Sequence, residues 1–144
     1  ESRRQALREA ERTAERIAQS IQQHAQNVFD TIRVTMDRID DRLGSMTVEE
    51  MRRSRELHDF LRRVDEGLAQ IGTIVVTNAD GLRISSSTEF NPEPTVNLAD
   101  RDYIRALKAG HQGMFVGETV LGRRTGQIQI IVARPLPSPD GVYR

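Results

Sequence analysis

The 144-residue chain contains no cysteine and no tryptophan, and only two tyrosines and four phenylalanines. Without cysteine, neither a disulfide framework nor a thiolate metal site can form. With aromatics at 4%, a core has to be assembled from Ile, Val, Leu and Met. Charge of one sign is also missing: 21 basic residues balance 21 acidic ones, for a net charge of +0. Phosphate backbones select a basic excess, so nucleic acid is not expected as a partner. No apolar run approaches the roughly 18 residues that cross a bilayer, and no signal-peptide pattern is visible. The chain opens inside a helical pattern at Arg3 and Arg4 and stops as a new strand begins at Val142. The expectation is therefore a piece excised from a larger protein.

Catalytic constellations are equally scarce. His24, His58 and His111 stand apart, with no i,i+4 histidine pair bracketing a glutamate, so the helical zinc pattern is absent and no metal is expected. His24 and His58 fall on charged helical stretches and are read as solvated. Ser85, Ser86 and Ser87 lack the flanking glycines of a nucleophile elbow. Gly110-His111-Gln112-Gly113 has too few glycines for a phosphate loop. Asp37, Asp40 and Asp41 alternate with Arg33, Arg38 and Arg42, the spacing of surface ion pairs on a helix. Nothing assembles an active site, and the chain is read as a non-enzyme without cofactors.

What the chain does have is periodicity. Leu7, Ala10, Ala14, Ile17, Ile21, Ala25, Val28, Ile32, Met36, Ile39 and Leu43 follow one another at steps of three and four. That spacing predicts one amphipathic helix over 1–43, about 60 Å long at 1.5 Å per residue. Its first half, near a heptad but rich in alanine, points to a modest homodimer seam, the alternative being a single helix packed on its own domain. Gly44 is the expected C′ residue, and Thr47-Val48-Glu49-Glu50 reads as a capping box. A second helical stretch runs to about residue 70, with Ser54 marking a break.

From residue 71 the texture becomes strand-like. Strands are expected at 71–77 and 82–87 around an Asn78-Ala79-Asp80-Gly81 turn. A loop over 88–99 leads to a short helix capped by Asp100 or Asp102 and ending at Gly110. Further strands are expected at 113–119 and 127–135, with a fifth opening at Val142. The fold expected is α+β: a long N-terminal helix and a second helix packed on a five-stranded antiparallel sheet with its last strand truncated. In domain terms, 1–70 is a helical stalk and helix hairpin, and 71–144 the sheet-bearing part of the same domain. Arg101 and Tyr103 fall two residues apart at the start of the short helix, where a guanidinium, a phenol and free helix N–H groups make a seat for a carboxylate.

Four segments together carry a resemblance: 75–81 with its Asp-Gly turn, Asp100-Arg101-Asp102-Tyr103, Thr125-Gly126, and the apolar strand ending Ala133-Arg134-Pro135. In order and spacing this resembles the extracytoplasmic Cache sensors, also described as PDC or PAS-like periplasmic domains, of bacterial histidine kinases, diguanylate cyclases and chemoreceptors. The resemblance covers most of the chain. It implies a PAS-like sheet and a periplasmic ligand-sensing module anchored by transmembrane helices outside this chain, most simply in a two-component histidine kinase. Relatives that bind amino acids hold the carboxylate with an Arg-x-aromatic-aromatic element. Arg101 and Tyr103 match its first two places, and Ile104 stands in the next. Val120 and Gly122 occupy the places where an aromatic and an acid precede the Thr-Gly. The ligand implied is thus a small carboxylate rather than an amino acid. The site implied joins Arg101 and Tyr103 to Ser85, Ser87, Val120, Thr125 and Arg134. The alternative outputs are a cyclase or chemoreceptor, and the alternative role is a dimerisation or scaffold module that binds no ligand.

Overall fold

The computed structural model describes residues 2–69, 72–93, 98–121 and 128–136. By compactness the chain divides into two units, Glu1–Asp37 and Arg38–Arg144. The described residues of the first unit all belong to α1, Ser2–Leu43. Leu7, Ile17 and Ile21 are all exposed there. Polar side chains brace this helix along its own length. Gln23 donates to Asn27 at 3.0 Å, and Arg33 pairs with Asp30 at 3.1 Å, the i,i+3 and i,i+4 contacts that support a helix locally.

The second unit begins with the last turns of α1 and continues through α2 (Val48–Arg53) and α3 (Arg55–Glu66). Each boundary has a chemical cause. Gly44 takes φ +44° and its N–H reaches the Asp40 carbonyl at 2.9 Å, ending α1 in the left-handed geometry that glycine adopts at least cost. Thr47 Oγ1 accepts from the Glu50 N–H at 3.2 Å and so starts α2. Ser54 both closes α2 and opens α3, its hydroxyl accepting from the Leu57 N–H at 2.9 Å. The apolar faces then converge. Ile39 and Leu43 of α1, Met51 of α2 and Leu57 and Leu61 of α3 form one core with Val76 and Ile84.

Val76 and Ile84 come from a hairpin of β1 (Val75–Thr77) and β2 (Arg83–Ser86). The pairing is antiparallel, Val75 opposite Ser86, with an irregularity between Val76 and Thr77. The turn forms where the sequence places it. Asn78 Oδ1 accepts from the N–H groups of Asp80 and Leu82 at 3.0 and 2.9 Å, and Gly81 sits at φ +84°, an Asx-type turn. A Cβ at Gly81 would stand 2.8 Å from the Ala99 nitrogen, so this glycine also admits the returning chain. Beyond it come α4 (Asp102–Lys108), β3 (Phe115–Val116), β4 (Val120–Leu121), β5 (Ile128–Gln129) and β6 (Val132–Ala133).

The five-stranded PAS-like sheet is not what the chain forms. The described strands make three separate two-stranded pairs: β1 with β2, β3 with β6, and β4 with β5. The stretch expected as one strand over 127–135 is split between β5 and β6, and the one expected over 113–119 shortens to β3. The two outer pairs are nested, with Val116 opposite Val132 and Val120 opposite Gln129, so their registers differ by one residue. That one-residue offset breaks the ladder in two. Ile130, in the break, is 62% exposed instead of packed in a sheet. The fifth strand expected at Val142 lies outside the described residues.

Candidate functional site

The residues singled out in the sequence occupy three places: β2 and its end, the start of α4, and the strands around β4 and β6. At α4, Arg101 is the N-cap residue, in extended backbone conformation and without a side-chain capping bond. It is exposed. Of the two acids expected to serve the helix start, Asp100 and Asp102, it is Asp102 that does so. Its Oδ1 accepts from the Tyr103 N–H and its Oδ2 from the Glu118 N–H, both at 2.8 Å. One carboxylate thus satisfies an orphan amide of the helix start and fixes the segment before β4 against it. It also occupies one of the helix N–H groups read in the sequence as open to a ligand.

Tyr103 is half-buried, and burial raises its phenol above the usual value of 10.0, against a smaller lowering by the Arg101 charge. Gly117 makes room for this arrangement. A Cβ there would lie 3.2 Å from Asp102 Oδ1 and 3.4 Å from Tyr103 Cδ1. Its N–H donates to the Ile131 carbonyl at 2.7 Å.

On β2 the serines are buried and well partnered. The Ser87 hydroxyl donates to Asp65 Oδ2 at 2.7 Å and accepts from the Ile74 N–H at 2.9 Å. Ser86 offers its carbonyl to His58 Nδ1 at 2.8 Å. His58, read in the sequence as solvated, is therefore buried: it faces inward on α3 and ties that helix to the end of β2. Because the acceptor is a carbonyl, Nδ1 carries the proton. Phe90 meets the His58 ring edge-on at 5.8 Å, and the Arg55 guanidinium lies 4.8 Å from the Phe90 centroid. Ser85 is buried on β2, opposite Val76.

Arg134, in the segment after β6, is drawn inward. It pairs with Asp40 near the end of α1, with side chains only 16% and 22% exposed. Asp40, expected among surface pairs along α1, thus reaches across the fold of the second unit. Val120 contributes its backbone to β4, opposite Gln129, and Thr125 lies outside the described residues.

One cation had not been placed in the site from sequence. Arg83 of β2 has a side chain only 17% exposed, and its Nη1 meets Glu89 Oε2 at 3.2 Å. The signal was available: an arginine in a strand whose next residue, Ile84, is wholly apolar. Among the described residues no group of three or more His, Asp or Glu side chains is arranged to hold a metal ion. No described helix is long and apolar enough to cross a membrane. No family model, curated protein or solved structure matches the chain.

Proposed function

We propose that the chain is a ligand-sensing domain of a bacterial transmembrane receptor, in its simplest form the extracytoplasmic, Cache-type sensor of a two-component histidine kinase, and that its ligand is a small carboxylate. The observation that carries this reading is the double anchorage of Asp102. By holding the Tyr103 and Glu118 amides together, it sets the Arg101-x-Tyr103 pair on a fixed rim beside β4. A guanidinium beside a half-buried phenol is suited to an anion with some apolar surface. The motif order set out above supports the same reading. It does so without the five-stranded sheet.

In this reading the domain performs no chemistry. The ligand acts by binding two states of the receptor unequally. The α1 helix is the element that carries the difference, because Ile39 and Leu43 sit in the core and Asp40 holds Arg134. Two copies pair along the exposed Leu7, Ile17 and Ile21 side of the helix.

The test is a thermal-shift screen of small carboxylates (acetate, propionate, lactate, malonate, succinate and benzoate) against chloride at matched ionic strength. At least one raises the melting temperature saturably in the wild type, as binding to the folded state requires, and the response weakens in Arg101→Ala. A flat response to all six removes the reading and leaves the dimerisation module, which the exposed apolar residues of α1 favour.

A further inference from the structure

We infer that the guanidinium of Arg83 is the buried anchor for the ligand's carboxylate, and that Glu89 is a built-in competitor for it. This rests on the carboxylate reading above and goes beyond it, since Arg83 lies on β2 and not on the Arg101–Tyr103 rim.

Arg83 Nε is a fully buried nitrogen with no hydrogen-bond partner, the one such side-chain atom among the described residues. A buried donor left unmatched is costly, and native folds rarely keep one without a use. Guanidinium groups are built for two-point recognition, with Nε and a terminal nitrogen presenting parallel N–H bonds to the two oxygens of a carboxylate. Among the described residues, Arg83 meets a partner through a single terminal nitrogen. Glu89 touches Nη1 at 3.2 Å, and the Glu89 side chain is 49% exposed against 17% for Arg83. The pair therefore joins a held cation to a loosely held anion. A ligand carboxylate that spans the parallel Nε and Nη2 N–H bonds takes the edge that Glu89, on Nη1, leaves unused, and its charge loosens the half-exposed Glu89 toward solvent.

The surroundings suit such an exchange. Ser85 stands two residues on along β2, past the pairing irregularity that skips Ile84, and it is buried and uncharged. The exchange also reaches a helix. Glu89 adjoins Phe90, whose ring rests between His58 and Arg55 of α3. Movement of Glu89 thus disturbs the junction of β2 with α3, where His58 Nδ1 holds the Ser86 carbonyl.

The experiment is a titration of the 15N-labelled 144-residue chain with sodium propionate, read at the arginine Nε–Hε resonances against sodium chloride at the same ionic strength. The Arg83 signal is assigned by its loss in Arg83→Lys. The inference predicts a saturable shift of the Arg83 signal with no counterpart in chloride, and loss of propionate binding in Arg83→Lys with the amide spectrum otherwise preserved. In Glu89→Gln the propionate affinity rises about two- to five-fold, the size expected on removing a part-exposed competing charge. If Arg83→Lys unfolds the chain, Glu89→Gln alone decides, since an unchanged or weaker affinity overturns the inference. A carboxylate that stabilises the chain without moving the Arg83 signal also overturns it and leaves the sensor reading standing. Failure of every carboxylate, in melting and in the titration, removes both.

Discussion

Single side chains in this protein hold segments together from partly buried positions, and two of them have measurable consequences. Tyr103 has its phenol raised above 10.0 chiefly by burial. A raised acid is neutral in both states at lower pH, and in alkali the unfolded chain ionises first. The stability tied to Tyr103 is therefore intact below pH 10 and falls as pH climbs through the folded-state value. Melting curves between pH 8 and 11.5 should show a steeper alkaline loss in the wild type than in Tyr103→Phe. Identical slopes would mean the ring is not sheltered. The Asp40–Arg134 pair, with both side chains mostly buried, is the second case. Removing one partner takes a charge-assisted contact from the other in a poorly solvated place, so Asp40→Ala should lower unfolding free energy by about 1–3 kcal/mol. Urea denaturation measures this. A double variant Asp40→Ala/Arg134→Met should recover part of the loss, because a part-buried charge is then gone.

Among the elements, the β1–β2 hairpin depends on Gly81. Its φ is +84°, and a Cβ at this position would come within 2.8 Å of the Ala99 nitrogen, which leaves no space for a side chain. Gly81→Ala should cost about 2 kcal/mol or more, since left-handed strain adds to a backbone clash. Gly110→Ala shares the positive φ but meets nothing within 4 Å, and should cost less by chemical denaturation. The comparison separates strain from collision. This turn was legible in the sequence because its signal is local: Asn78, Asp80 and Gly81 hold their turn by bonds within four residues. The same holds for Gly44, Thr47 and Ser54 at the helix ends. The sheet was not legible. Alternating apolar residues mark a strand but do not say which strand it joins, and a one-residue offset between Val116–Val132 and Val120–Gln129 is invisible in composition. His58 was misread for a related reason. Its neighbours on α3 are charged, but its own position lies on the helix's inward side with Leu57 and Leu61. The candidate site was legible only in part. Arg101 and Tyr103 stand out by spacing, whereas the unmatched nitrogen of Arg83 exists only once β2 is folded.

For the molecule as a whole, the two units differ in what buries them. The second has a core of its own, running from Ile39 to Ile84. The first presents Leu7, Ile17 and Ile21 in the open, at 60%, 55% and 65% exposure. Such side chains at heptad-like steps are the ordinary signature of a helix seam. Sedimentation equilibrium should therefore show self-association that Ile17→Ser/Ile21→Ser abolishes while leaving the melting transition of the second unit in place. A strictly monomeric wild type would assign the stripe another role.

The central claim is that this fold takes up a small carboxylate. Isothermal titration calorimetry of the chain with the best-stabilising acid of the six, in buffer free of other carboxylates, tests it most directly. The account predicts a saturable heat with about one acid bound per chain, sharply reduced at raised ionic strength as charge pairing requires. Heats that never saturate, or that the chloride salt reproduces, would contradict it.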